Sequence, residues 1–259
     1  MQRRNFLATS ALGGAAALAV SRTASAQESA GPRQFFEWRT YRLASAQKRP
    51  IFDEYLRTAA LPAWGRMGLG PVGVFQEIGA DASPAVRVLL VHPTLELLAE
   101  ERSLLERDGE YQAHAAEYLA AAKDDPVFTR IDSWLLRAFA GAPQLTPPAN
   151  SPRVYEMRTY ESHTEERARK KIAMFDKYEI ALFPQCGFQN VFFGETLVGP
   201  GLPALKYMLA APDMAANEAG WQRFINHPDW LAVKDDPEYR DTVSKMHKLF
   251  LEPTEYSQI

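Results

Sequence analysis

The stretch FFEWRTYRL, Phe35 to Leu43, returns 119 residues later as VYEMRTYES, Val154 to Ser162. Both copies carry Glu, Arg and Tyr at alternate positions: Glu37, Arg39 and Tyr41, then Glu156, Arg158 and Tyr160. Residues two apart share one face of a strand. Phe36, Trp38 and Thr40 therefore lie on one side, and Phe35, Glu37, Arg39 and Tyr41 on the other. The second copy sets Tyr155, Met157 and Thr159 against Val154, Glu156, Arg158 and Tyr160.

The match runs further along the chain. Gly68 and Val72 correspond to Gly187 and Val191, and VLLVHP (Val88 to Pro93) corresponds to YMLAAP (Tyr207 to Pro212), all at an offset of 119. KDDP at Lys123 to Pro126 recurs at Lys234 to Pro237, an offset of 111, so the first copy holds eight extra residues between Pro93 and Lys123. A constant offset interrupted by one length change marks an internal duplication.

Each copy reads β-α-β-β-α-β. The opening strands, 35–42 and 153–161, alternate with period two. Pro50 suits a helix start, and Phe52, Tyr55, Leu56 and Ala59 continue that helix. In the second copy His163-Thr164 precedes Glu165-Glu166, which reads as an N-cap with acids in the first turn. Ala168, Ile172, Phe175, Tyr178 and Leu182 then form an apolar helical stripe. Leu61-Pro62 and Phe183-Pro184 are expected to end these two helices. Strands follow at PVGVFQEIG and QNVFFGETLV, then at AVRVLLVHP and PALKYMLAAP. Helical regions at Leu95–Lys123 and Met214–Lys234 precede last strands at IDSWLLRAF and VSKMHKLFLEP. This order is the split βαβ, or ferredoxin-like, arrangement. The fold expected is α+β: two tandem ferredoxin-like repeats, 34–140 and 153–259, forming one pseudo-dimeric α+β barrel within the chain. The segment 141–152 holds Pro143, Pro147, Pro148 and Pro152 and reads as a proline-rich linker.

Residues 1–26 read as a leader rather than as part of the fold. Arg3-Arg4 is followed by Phe6-Leu7, a weakly apolar run from Ala11 to Val20, and the small-x-small signal Ala24-Ser25-Ala26. The run is shorter than the roughly 20 residues that span a bilayer. The paired arginines resemble a twin-arginine export signal, which implies a periplasmic or secreted protein after cleavage near Ala26. Loss of Arg3, Arg4 and Arg22 takes the net charge from −3 to −6. An acidic chain without a basic run argues against nucleic acid and anionic lipid as partners. Cys186 is the single cysteine, so no intrachain disulfide can form and the core must carry stability.

The duplicated opening strand, the helices with Leu61-Pro62 and Phe183-Pro184, and Trp221, Phe224, Pro228 and Trp230 ahead of KDDP together resemble the NIPSNAP family. Members are similar to ferredoxin-like domains of the dimeric α+β-barrel superfamily. The first copy departs from the pattern, with Tyr118 and Leu119 near the place of Trp230 and a longer second helical region. The resemblance implies fold far more than activity.

The Glu37/Arg39/Tyr41 and Glu156/Arg158/Tyr160 faces are expected to point away from the helices and to line a space between the two sheets. There Arg would hold an anionic group and Glu would act as a base, or the two would form a symmetric structural network. His92, His114, His163, His227 and His247 show no i, i+4 pair or Cys-His cluster, so no metal and no cofactor is expected. His92 stands opposite Ala211 across the repeat, and this asymmetry makes it a candidate catalytic residue. Three readings remain open: a small-molecule-binding protein with its ligand between the sheets; a cofactor-independent, monooxygenase- or isomerase-like enzyme; and an assembly protein without pocket chemistry. Homo-oligomers are compatible with each.

Overall fold

The computed structural model describes residues 32–79, 84–149 and 153–259. The expected leader and its cleavage point lie outside the described residues.

The first copy runs β1 (Phe35–Leu43), α1 (Arg49–Tyr55), a π-helical turn (Leu56–Ala60), α2 (Leu61–Arg66), β2 (Gly73–Glu77), β3 (Ala85–His92), α3 (Leu95–Arg107), α4 (Gly109–His114), α5 (Ala116–Leu119) and β4 (Phe128–Ala138). The second runs β5 (Val154–Glu161), α6 (Glu165–Met174), a π-helical turn (Phe175–Glu179), α7 (Ile180–Gln185), β6 (Gln189–Val198), β7 (Ala204–Ala211), α8 (Met214–Ile225), α9 (Pro228–Val233) and β8 (Lys245–Pro253). Pro50 opens α1, and the Thr164 hydroxyl accepts from the Arg167 N–H at the start of α6. Among the described residues no helix is long and apolar enough to cross a membrane.

Leu61-Pro62 does not end its helix, which continues to Arg66, whereas Phe183-Pro184 lies in the last turn of α7, which ends at Gln185. Each helix passes through a wide turn in which Leu61 N–H reaches Leu56 O, or Ile180 N–H reaches Phe175 O. In the first copy the extra residue of that turn falls just before Pro62 and makes room for a ring that a regular ladder would strike. The wide turns fall at equivalent positions of the two copies. The two prolines do not.

All eight strands join in one closed barrel, in the order β1-β3-β2-β8-β5-β7-β6-β4. The two four-stranded sheets meet edge to edge. Phe75 pairs with Pro253 at one seam, and Ala138 pairs with Gly194 at the other. Closure leaves no free sheet edge. The helices of each copy cover the outer surface of its own sheet. Trp64, Phe52 and Val88 anchor the first outer core, and Phe175, Phe183 and Tyr207 the second.

The lumen is built in layers that the pairing register sets out. Phe36, Val91 and Leu136 face Tyr155, Ala210 and Leu251 in the deepest layer. Trp38, Leu89 and Trp134 face Met157, Met208 and Leu249 in the next. Thr40, Arg87 and Asp132 are matched by Thr159, Lys206 and His247 in the third. Leu145, from the proline-rich segment, and Ile259 join the apolar residues of the first two layers. The barrel is thus packed solid over most of its length and becomes polar towards one end.

Phe36 is fully buried, with its ring 4.9 Å from that of Phe192 across the lumen. Phe36→Ala should cost about 3–5 kcal/mol. Urea unfolding should show this as a lower midpoint with an unchanged slope.

Candidate functional site

The Glu-Arg-Tyr faces do not line the lumen. This corrects the expected placement: Glu37, Arg39, Tyr41, Glu156, Arg158 and Tyr160 point outwards beneath the helices, while Trp38 and Thr40, Met157 and Thr159 face inwards. Helices and lumen together bury both faces of β1 and β5, so alternation separates the faces without saying which is inside.

Beneath the first set of helices, Arg39 Nε and Nη2 donate to Glu37 Oε1 and Oε2, both at 2.7 Å. The same guanidinium donates to both oxygens of Glu101 from α3. Trp64 Nε1 donates to Glu101 at 2.7 Å, and Ser133 Oγ to Glu37 at 2.6 Å. Burial alone would raise the Glu37 pKa. The His92 ring, the Arg39 charge and Ser133 outweigh burial and hold it at about 2. Burial also opposes the charge on Arg39, yet Tyr41, Glu37 and Glu101 carry its pKa well above the usual value.

His92 is fully buried at the end of β3. Its Nε2 stands 3.5 Å from Glu37 Oε2, at the limit of a hydrogen bond, and neither ring nitrogen has a closer partner among the described residues. Glu37, His92 and Glu101 can bring one ligand atom each to within 4.8 Å of one another. Arg39 already engages all four carboxylate oxygens, and its fixed positive charge would repel a metal ion there. The set therefore fits a metal poorly.

The second network differs in charge. Arg158 Nε donates to Glu156 at 2.6 Å, and the guanidinium lies 3.4 Å from the centroid of the Trp221 ring. Asn217 and Trp221 from α8 donate to the other Glu156 oxygen. The Tyr160 and Tyr207 hydroxyls share a hydrogen bond of 2.8 Å beside Arg158. One carboxylate and one guanidinium balance here, whereas the first network holds two carboxylates and one guanidinium. Glu156 and Arg158 also border an open groove of about 610 Å³ against Met214, Gln222 and Phe250. Cys186 is buried in the second outer core, and burial pushes its thiol pKa up, which leaves it unreactive.

The lumen opens at its third layer into a cavity of about 380 Å³. Trp38, Trp134, Met157 and Leu249 form its apolar side, and Arg87, Lys206 and His247 stand in its wall. Pro200 and Gly201 of the β6–β7 loop border it, and the Pro200 carbonyl accepts from Trp134 Nε1 at 3.3 Å. Gly199 has φ 145°, and a side chain there would collide with Trp134.

Most charges around this mouth are paired. Arg42 donates to Asp132 at 2.6 Å, and at the equivalent positions Glu161 meets His247 at 3.0 Å. Arg87 donates to Glu77 at 2.8 Å. Lys206, the counterpart of Arg87, has no such carboxylate, because the counterpart of Glu77 is Thr196. Its Nζ donates to Thr159 Oγ1 at 2.8 Å and lies 4.7 Å from the Trp134 ring centroid, with 7% of the residue exposed. Burial pulls its pKa down to about 8, against the weaker upward pull of Glu161.

Sequence reading placed neither Arg87 nor Lys206 in a site. The signal was present: each is the single charged residue before the histidine or alanine end of an otherwise apolar third strand, 119 residues apart. Trp134 carried no comparable signal, since only barrel closure brings β4 beside the β6–β7 loop.

The depressed Glu37 pKa has a defined consequence for stability. Its contribution is fully present above the unfolded value of 4.5 and is lost as pH falls towards 2. Glu37→Gln should destabilise the protein by about 3 kcal/mol near neutral pH. The gap from wild type should close between about pH 4.5 and 2 when urea unfolding is followed across that range.

Comparison with known proteins places this architecture. A protein from Lactobacillus acidophilus NCFM, provisionally named a monooxygenase, superposes with a TM-score of 0.59 at 11% identity, covering 85% of this chain and 94% of its own. A similarly named protein from Fusobacterium nucleatum subsp. nucleatum gives 0.59 at 8% identity, covering 86% and 93%. An anthrone oxidase-like protein gives 0.52 at 11% identity, covering 87% and 93%. At these identities the likeness is one of fold. No curated protein sequence matches the chain. Residues 155–258, nearly all of the second copy, match the NIPSNAP family model, set within a barrel of the dimeric α+β type.

Proposed function

We propose that this protein binds a small organic anion with an apolar or aromatic body at the open end of its barrel. The observation that carries this reading is Lys206: a buried ammonium in the cavity wall with no carboxylate partner among the described residues. A buried charge without a partner is costly and calls for a counter-ion. A ligand carboxylate at Lys206 would supply it. Trp134 and Trp38 offer flat apolar surface for the rest of the ligand, and one buried Arg87 N–H, Nη1, stands without an acceptor. A cavity of about 380 Å³ suits a compact ligand of this kind. In this reading the Glu37–Arg39–Glu101 and Glu156–Arg158 networks clamp helices to sheet. His92 acts as part of the first network and not on the ligand.

The N-terminal sequence supports export by the twin-arginine route as part of the same proposal, which would make this a binding protein of the cell envelope.

Lys206→Met separates ligand binding from folding. Benzoate and related aromatic carboxylates should bind wild-type protein in calorimetry, and the variant should bind them at least about tenfold more weakly. The same variant should be more stable at pH 7, by up to about 3 kcal/mol, because the folded state no longer buries an unpaired ammonium. The sign follows from a folded pKa of about 8 against an ordinary value of 10.5. The cost is full below about pH 8, so the stability gap should narrow as pH rises from there. Unchanged carboxylate affinity in Lys206→Met would sink the proposal.

A further inference from the structure

The geometry points to Lys206 as an amine that captures a carbonyl group, so that the ligand of the barrel mouth is an aldehyde or ketone bearing an acid group. This rests on the reading of the mouth as an anion site and adds a covalent step to it. Three observations carry it. Lys206 lies in a strand buried along its whole length, yet its side chain helps to line the open cavity. Its Nζ is held by one neutral hydroxyl, Thr159 Oγ1, and one aromatic face, Trp134, rather than by a carboxylate. The duplicated position keeps a different chemistry: Arg87 is a cation that cannot act as a nucleophile, and it is tied to Glu77. The two copies therefore place a fixed cation and a titratable amine on β3 and β7, which stand opposite each other in the barrel order.

The division of labour follows from those two groups. An acid that also carries a carbonyl can instead give its carboxylate to Arg87, whose buried Nη1 has no acceptor among the described residues. Lys206 then meets the carbonyl carbon. The neutral Nζ lone pair forms the C–N bond as the carbonyl π electrons move to oxygen, which takes up a proton, and Nζ loses one. The resulting carbinolamine loses its hydroxyl as water, with one further proton leaving nitrogen, and a C=N bond forms. The balance is amine plus carbonyl to imine plus water, with no oxidant or reductant. Desolvation serves this step because it keeps part of the amine unprotonated. At pH 7.5 a pKa of about 8 leaves about a quarter of Lys206 neutral. An ordinary exposed lysine is neutral about two-hundredfold less often. Thr159 fixes the direction of Nζ, and the second layer beneath it, Trp38, Met157 and Leu249, keeps the floor dry.

The test uses the protein with 4-carboxybenzaldehyde and cyanoborohydride near pH 7.5, read by intact mass and peptide mapping. Lys206 should form the reduced adduct at least about tenfold faster than exposed Lys123 or Lys245. Excess benzoate should suppress that adduct alone. Lys206→Arg, which keeps the charge but not the amine, should lose the fast adduct while Lys123 and Lys245 still label at their slow rates. Lys206→Met, which keeps the side-chain volume, serves as a second variant and should lose both the fast adduct and benzoate binding. If benzoate binds in a Lys206-dependent manner but Lys206 is labelled no faster than Lys123 and Lys245, carbonyl capture is wrong and the anion site stands. If benzoate does not bind at all and Lys206 is not labelled preferentially, both readings fall.

Discussion

Closure of the barrel under two helical layers is the constraint on which the rest of this structure depends. Each of the eight strands has a face towards the lumen and a face towards helices or solvent, and in the central strands β1, β3, β5 and β7 both are covered along most of their length. A charge on any covered face must find a partner there, since the cost of isolating it exceeds the whole margin of stability of a typical domain. The first network meets this demand with a guanidinium shared by two carboxylates, and the second with a matched pair capped by Trp221 and Asn217. These networks join α3 and α8 to the central strands β1 and β5.

Duplication makes the exceptions informative. Positions related by the repeat sit in equivalent surroundings, so a residue that breaks the pairing rule in one copy can be judged against its twin. Arg87 has Glu77; Lys206 has Thr196 in that place, and the Thr196 hydroxyl is itself buried without a partner. Arg42 with Asp132 and Glu161 with His247 differ in residue type but both stay paired. The uncompensated ammonium is the position where stability gives way to something else, as binding sites commonly require. His92 opposite Ala211 is also asymmetric, but it lies against Glu37 under the helices and away from the lumen.

Much of the fold was legible because it depends on local pattern and on repetition. Period-two strands, helical stripes and the offset of 119 residues led to two ferredoxin-like copies, and the register of β1 with β3 and of β5 with β7 repeats at that same offset. The helix ends were less legible. Proline rules describe a regular helix, and the wide turn just before Pro62 removes the clash on which those rules rest. The direction of the Glu-Arg-Tyr faces was not legible at all. Both faces of β1 mix aromatic and polar residues, so neither hydrophobicity nor charge distinguishes a lumen from a helix-covered surface.

The sequence by itself determined the duplication, the element order and the pairing of Glu37 with Arg39 and of Glu156 with Arg158, because residues two apart on a strand must share a face whatever surrounds them. Tertiary structure alone decided which face is inside, how the two sheets join at their edges, and which cation is left unpaired. Those outcomes depend on strands far apart in the chain: β7 sets Lys206 beside Thr159 of β5, and closure brings Trp134 of β4 to the same mouth. The meaning of Lys206 lies in its having no ion-paired carboxylate among the described residues: Glu161, in the same cavity wall, is engaged by His247.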